Sequence, residues 1–191
     1  MYPLSKPLSE VISEARNHNA CVHEINILEA LCTTGATLES LSKHERAPYW
    51  AYWYAADVIK GRWPEAEEII MTSSYWSYQY AYNIIKGRWL EAEETIKTNA
   101  EQIYWYAFNI IKGRWPEAEA IIKTSPHFAC WYACDVIKGR WPEAEAVIMI
   151  SPHWAYWYAH EVIEGRWPEG EEIIKTDSYF FNEYCKNVLK P

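Results

Sequence analysis

The eight-residue phrase KGRWPEAE, or a near copy of it, recurs every 26 residues along this chain. Its glycines follow one another without insertion or deletion, at Gly61, Gly87, Gly113, Gly139 and Gly165. A fixed period of about 20–50 residues is typical of stacked supersecondary units, each of which buries its apolar face against its neighbours. The period therefore predicts a repeat architecture and not a single globular core.

Each repeat predicts two helices joined by a short turn. In residues 49–74 the apolar side chains recur on one broad helical face, formed by Trp50, Ala51, Tyr54, Ala55, Val58 and Ile59. We expect Gly61 to end this first helix, as glycine does just past a helix C-terminus, and Pro64 to begin a second, shorter one. Polar residues that suit the N-cap of the next first helix recur at Ser73, Asn99, Ser125, Ser151 and Asp177.

These units predict an all-α fold, an α-solenoid of about five 26-residue helix–turn–helix repeats over residues 49–178. Degenerate helical caps are expected at both ends. Residues 1–48 contain Gly35, which lies 26 residues before Gly61, but they lack the recurrent Trp and Tyr. Residues 179–191 begin a sixth first helix whose surface is polar, at Asn182, Glu183, Lys186 and Asn187.

Composition and charge exclude several classes of function. Residues 49–178 carry 19 acidic and 12 basic side chains, a net formal charge of −7, whereas duplex-DNA binders present a basic surplus. No segment approaches the roughly 18 apolar residues of a membrane span, and the N-terminus lacks the apolar region of a signal peptide. The five cysteines lack the spacing of a disulfide scaffold, which favours a reducing, cytoplasmic setting.

The Arg-Trp pair of each phrase admits two interpretations. Arg62-Trp63 and its equivalents could form a ladder of cations and rings that stacks nucleic-acid bases. Alternatively, the tryptophan fills the core between repeats while the arginine pairs with a neighbouring repeat's glutamate, and the regular recurrence of glutamate favours this second interpretation. The two glutamates of PEAE, such as Glu65 and Glu67, are two residues apart and are interpreted as helix-dipole and solubility devices.

The sequence contains no glycine-rich phosphate loop, no Gly-x-Ser-x-Gly elbow and no HExxH motif, so we expect a protein that is not an enzyme and has no cofactor. His127, Cys130, Cys134 and His160 are residue types that could together ligate a zinc ion. However, the equivalent residues of other repeats are ordinary Tyr, Phe and Ala. We therefore predict no metal site.

The far side of the first helices offers the best candidate for a binding surface. Counting Tyr49 as position one of the first repeat, position five is almost always tryptophan and position eight varies freely. We call the following residues of positions five and eight the aromatic face: Trp53, Gln79, Tyr82, Trp105, Phe108, Trp131, Trp157 and His160. A constant frame that presents variable residues is typical of solenoid recognition surfaces, although burial of these rings in the core is the competing interpretation.

The two-helix plan resembles that of tetratricopeptide and Sel1-type repeats, which mostly mediate protein–protein contacts. Over residues 49–178 the pattern YAxxVIKGRWPEAEExIIKT more closely resembles tandem units of uncharacterised proteins encoded by bacteriophages and large DNA viruses. This resemblance implies a viral or mobile-element origin and transfers no activity.

We accordingly predict a non-catalytic interaction module that binds a protein or peptide, with a host defence factor as a plausible target. One alternative is sequestration of a nucleotide or other small aromatic ligand between Trp, Tyr and Arg side chains. Another is a purely structural protein that self-associates through exposed aromatic rings. Single-stranded nucleic acid is disfavoured by the acidic balance.

Overall fold

A computed structural model of the chain describes residue 13 and residues 43–189. All regular structure within them is helical, and no strand occurs in this part of the chain. The predicted all-α, solenoid-like class is therefore confirmed. Most of the predicted N-terminal cap, residues 1–48, lies outside the described residues.

The helices follow the two-helix plan of the repeat. The first helices are α1 (Ala47–Trp53), α3 (Ser74–Tyr80), α5 (Ala100–Tyr106), α7 (Pro126–Trp131) and α9 (Pro152–Tyr158). The second helices are α2 (Pro64–Ile70), α4 (Glu93–Ile96), α6 (Glu119–Ile122), α8 (Pro142–Ile148) and α10 (Pro168–Ile174), and α11 (Ser178–Asn187) follows them. Short 3-10 turns, Leu90–Ala92 and Pro116–Ala118, precede α4 and α6.

The chain divides into two compact units, residues 1–96 and residues 97–191. In the N-terminal unit α1 packs against α2 and against α3. In the C-terminal unit α7 and α9 each pack against the second helix of their own repeat, and α5, α7, α9 and α11 pack in sequence order. Each unit is thus built from contacts between neighbouring repeats, as expected for a repeat protein.

Every first helix continues beyond its α-helical part as a π-helix. The π segments are Tyr54–Ile59, Ala81–Ile85, Ala107–Ile111, Tyr132–Ile137 and Ala159–Ile163. The residue after each one is left-handed, with φ between 54° and 59° at Lys60, Lys86, Lys112, Lys138 and Glu164. The first helix does end just before Gly61, as expected, but the left-handed residue that closes it is Lys60 and not the glycine.

The physical reason lies in the wider final turn. The N–H of Lys112 donates to the carbonyl of Ala107, five residues back, and so does the N–H of Gly113, at 3.3 Å. Both amides that leave the helix are thus satisfied by one carbonyl. A side chain at Gly113 would meet no atom within 4 Å, and the glycine is not left-handed.

The predicted N-cap residues are confirmed at all five positions. The side chains of Ser73, Asn99, Ser125 and Asp177 accept hydrogen bonds from amides of the following first turn. Ser151 also occupies the N-cap position, of α9, although its side chain makes no capping hydrogen bond. Pro152 still supplies a pre-set φ at the first position of α9.

The core is formed by the inward faces of both helices and by the tryptophan of each phrase. The tryptophans of the five phrases are buried: Trp63, Trp89, Trp115, Trp141 and Trp167. Of the apolar face predicted in the first repeat, Trp50, Ala51, Tyr54 and Ala55 are buried. Ile59 is 41% exposed, so that prediction is wrong, because the π turn rotates this residue away from the core. The side chain of Val58 lies outside the described part of the structure.

Candidate aromatic interaction surface

The arginine of each phrase pairs with a glutamate of its own repeat. Arg114 Nε and Nη2 each lie 2.8 Å from the carboxylate of Glu119, five residues on. The same bidentate geometry is found at Arg62–Glu67, Arg88–Glu93, Arg140–Glu145 and Arg166–Glu171. These pairs lie within one repeat, whereas pairs between neighbouring repeats were expected; Arg140 makes both kinds, since it also contacts Glu169 of the next repeat at 3.1 Å. The turn between the helices brings the guanidinium over the first turn of the second helix.

A tyrosine of the next repeat bonds to the same glutamate. We call the phrase tryptophan, arginine and glutamate, together with this tyrosine, the joint between repeats. Tyr132 accepts a hydrogen bond of 2.6 Å from the backbone N–H of Trp115 and donates one of 3.4 Å to Glu119. Burial raises the pKa of Tyr132 to about 12, and the adjacent Glu119 contributes. Three further sets share this geometry: Trp63–Tyr80–Glu67, Trp141–Tyr158–Glu145 and Trp167–Tyr184–Glu171.

These joints change the interpretation of the phrase. Glu119, the second glutamate of its PEAE, is a buried acceptor for two partners, so our interpretation of these glutamates as dipole and solubility devices is incomplete. The indole of Trp115 is buried and cannot stack on a ligand. The described residues of KGRWPEAE therefore connect repeats, and a binding surface has to be sought elsewhere.

The outer side of the C-terminal unit carries half-exposed rings. Trp131 is 37% exposed, Trp157 is 38% exposed and Phe108 is 42% exposed. Trp105 and His160 are intermediate in burial. Neither interpretation of the sequence, an exposed binding surface or rings buried in the core, fully describes these five members of the aromatic face. Each ring contacts the protein on one side and solvent on the other.

Contacts between rings link these residues into a continuous surface. The ring of Tyr104 lies 4.8 Å from that of Trp105, 6.0 Å from that of Phe108 and 5.6 Å from that of Trp131, between centroids. Tyr156 makes the corresponding contacts with Trp157 at 5.6 Å and His160 at 5.8 Å. The tyrosine at position four thus supports position five and position eight of its own repeat.

Histidines at position one join consecutive repeats. The ring of His127 stacks on Trp154 at 4.5 Å and meets Trp131 edge-on at 4.0 Å. His153 contacts Trp154 at 4.3 Å and Trp157 at 6.5 Å. Burial lowers the pKa of His127, so its ring is a neutral stacking partner at pH 7. Our predicted site omitted these histidines and the position-four tyrosines, although tyrosine recurs at position four in four of the five repeats, a signal that could have found it.

The N-terminal unit carries fewer exposed rings at the equivalent positions. Tyr82 is exposed and stacks on Tyr78 at 5.9 Å, while Trp53 is half-buried. Gln79 replaces tryptophan here, and its side-chain oxygen accepts a hydrogen bond of 3.0 Å from Asn83. The glutamine therefore contributes a polar contact to the surface where other repeats present a ring.

The remaining observations concern metals, membranes and known proteins. Within the described residues, no group of three or more His, Cys, Asp or Glu side chains is placed to hold a metal ion. No helix among residues 43–189 has the length and apolar character needed to cross a membrane. Comparison with protein-family models, curated proteins and solved structures finds no significant match.

Proposed function

We propose that the protein is a non-catalytic interaction module that binds a protein or peptide through the aromatic face. The continuous, half-exposed ring surface of the C-terminal unit carries this proposal, with Trp131 and Trp157 as its most exposed tryptophans. Tryptophan and tyrosine are the residues that most often dominate binding energy at protein interfaces. Rings held by neighbouring rings lose little conformational freedom on binding, which favours affinity.

The surroundings of these rings favour a partner with basic groups. Asp135, Glu161 and Glu164 lie near the aromatic face in the C-terminal unit, with Lys138 as a cation among them. An acidic rim suits a partner that presents lysine or arginine around an aromatic or aliphatic anchor. The resemblance to viral tandem-repeat proteins makes a host protein in the cytoplasm the proposed partner.

Substitution of Trp105, Trp131 and Trp157 by alanine tests the assignment. Wild-type and triple-variant proteins are immobilised at equal density, and proteins captured from host-cell extract are compared. We expect the partner retained by the wild type to be lost by the variant, while circular dichroism shows an unchanged helical content. A matched control replaces Leu90 and Ile150, two exposed apolar residues outside the aromatic face, and should capture the partner normally. Equal capture by the triple variant would refute the aromatic face as the binding surface.

The alternative of nucleotide sequestration receives less support. It requires arginine to hold a phosphate, but Arg114, Arg140 and Arg166 each make two hydrogen bonds to a carboxylate. A phosphate would have to displace a charge-assisted bidentate pair. Titration of tryptophan fluorescence with nucleotides separates the two functions, because base stacking on the aromatic face should change the emission.

A further inference from the structure

The tryptophans at position five form a row across the first helices of the C-terminal unit. Trp105 lies in α5, Trp131 in α7 and Trp157 in α9, and these helices pack in sequence order. The ring of Tyr104 lies 4.8 Å from that of Trp105 and 5.6 Å from that of Trp131. The two tryptophan rings are therefore at most about 10 Å apart, in keeping with the roughly 8–10 Å between the axes of packed helices. We call Trp105, Trp131 and Trp157 the tryptophan row.

A peptide that contacts every ring of this row needs a matching repeat along its own length. A polyproline II helix has three residues per turn and rises about 3.1 Å per residue, so it presents the same side about every 9 Å. Side chains on one face of a β-strand recur about every 7 Å, which is shorter than the spacing of packed helices. An α-helix that crosses the row would match only through residues seven apart, at about 10.5 Å. The spacing therefore leaves the polyproline II helix and the α-helix as candidates.

The indole N–H groups of the tryptophan row select between these two backbones. Among the described residues, no protein atom accepts a hydrogen bond from the indole N–H of Trp105, Trp131 or Trp157. A peptide that covers these rings has to supply acceptors, because a donor that is buried without a partner costs free energy. The carbonyls of an α-helix are already used within the helix, whereas a polyproline II helix has no internal hydrogen bonds. The unpaired indole donors therefore favour the polyproline II form.

The charges beside the tryptophan row indicate which residues accompany the prolines. Asp135, Glu161 and Glu164 lie together with Phe108 of the aromatic face, and Lys138 is the cation in this group. The side chain of Glu161 is 45% exposed. Arginine or lysine beside the prolines would be attracted to these carboxylates, whereas an acidic peptide would be repelled. Proline itself has no N–H, so its burial on the rings leaves no backbone donor without a partner.

We propose that the tryptophan row binds a proline-rich segment in the polyproline II form, with prolines at every third residue and basic residues beside them. One proline packs on each tryptophan, and the indole N–H donates to a carbonyl of the peptide. Such a segment is largely ordered before it binds, so it loses little conformational entropy. This inference rests on the proposed function, because it names the class of peptide that the aromatic face takes.

Calorimetric titration of the full chain with a synthetic peptide tests the proposal. The probe has proline at every third residue, alanine between the prolines and arginine at both ends, and it should bind with a dissociation constant on the order of 100 μM. The matched control peptide has the same composition with its prolines at alternate residues, and it should bind at least roughly tenfold more weakly, a change of about 1.4 kcal/mol. An amphipathic helical peptide of alanine, leucine and lysine represents the competing backbone. Equal binding of the two proline peptides, or tighter binding of the helical peptide, would overturn the proposal.

Variants of the protein place the binding on the tryptophan row. Trp131→Phe keeps a ring but removes the indole donor, and it should weaken binding of the probe roughly fivefold. The variant with alanine at all three tryptophans should not bind it. Ile150→Ala is the control, since Ile150 is 71% exposed and lies outside the aromatic face, and it should bind as the wild type does. Circular dichroism verifies that each variant is folded. Wild-type affinity in Trp131→Phe or in the triple variant would contradict the assignment.

The two experiments on the aromatic face separate this inference from the proposed function. If the probe does not bind while capture from host-cell extract still requires the three tryptophans, the polyproline inference is overturned and the proposed function stands. If capture also persists in the triple variant, both are overturned.

Discussion

At the residue scale, the joint between repeats depends on one hydroxyl. The hydroxyl of Tyr132 satisfies the buried backbone N–H of Trp115 and also meets Glu119, which already holds Arg114. A buried donor left without an acceptor costs more than the net value of the hydrogen bond itself. Tyr132 should therefore contribute to stability beyond the apolar area of its ring.

We predict that Tyr132→Phe lowers the free energy of unfolding by about 1–3 kcal/mol, because the buried Trp115 N–H loses the hydroxyl that accepts its hydrogen bond. Urea unfolding monitored by circular dichroism measures the change. Tyr179→Phe is the matched control, since Tyr179 is 65% exposed, and it should stay within about 0.5 kcal/mol of the wild type. Equal stability of the two variants would show that the joint hydroxyl is dispensable.

The same hydroxyl predicts a dependence on alkaline pH. The pKa of Tyr132 is about 12 in the folded protein, against about 10 for an unfolded tyrosine. The folded state therefore holds this proton more tightly, so the stabilisation is complete below pH 10 and is lost as the pH rises towards 12. Urea midpoints measured from about pH 9 to 12 should fall, and they should fall less steeply in Tyr132→Phe. Parallel curves for both proteins would contradict this assignment.

At this scale the burial of the phrase tryptophans could be predicted from the sequence, whereas the partner of each arginine could not. Burial of Trp115 and its equivalents follows from the period, because a repeat has to bury its largest apolar residue against its neighbours. The partner of Arg114 could not be chosen from spacing alone. Glu117 and Glu119 of the same repeat and Glu143 of the next are all candidate partners, and only the geometry of the turn selects Glu119.

At the scale of the element, the first helix ends differently from the sequence-based expectation. Glycine just past a helical segment is typical of the left-handed cap, and the apolar period gives no sign that the helix widens. The structure has a π-helical final turn, so the left-handed residue is Lys112, with φ of 57°, and not Gly113. A left-handed conformation costs a non-glycine residue roughly 1 kcal/mol or more.

This assignment predicts opposite outcomes for adjacent substitutions. Lys112→Gly should raise the free energy of unfolding by about 0.5–1 kcal/mol, because glycine removes the left-handed strain. Gly113→Ala should change it by less than about 0.5 kcal/mol, since the added Cβ meets no atom within 4 Å. Denaturant unfolding of both variants measures the difference. A strong loss on Gly113→Ala would instead support glycine as the left-handed cap.

At the scale of the whole molecule, the period predicts tandem helical packing, but it does not predict which side chains form a binding surface. The fourth repeat departs from the others at Cys130 and Cys134, and the effect of such departures depends on the neighbouring helices that are placed beside them. The continuity of the aromatic face likewise depends on rings such as Tyr104 and His127 that link positions of neighbouring repeats. Periodicity describes what the repeats share, whereas these features arise from contacts between particular side chains.

The C-terminal end supplies the last prediction, because nearest-neighbour stacks need a terminal element that closes them. Tyr184 of α11 is fully buried, accepts the N–H of Trp167 at 2.9 Å and donates to Glu171 at 3.2 Å. Deletion of residues 178–191 should therefore expose the Trp167 joint and the adjacent aromatic core. We expect a lower thermal midpoint than in Tyr184→Phe, together with concentration-dependent association in light scattering. Tyr184→Phe is the control that removes the hydroxyl but keeps α11, so a truncated protein as stable and monomeric as this variant would show that α11 does not act as a cap.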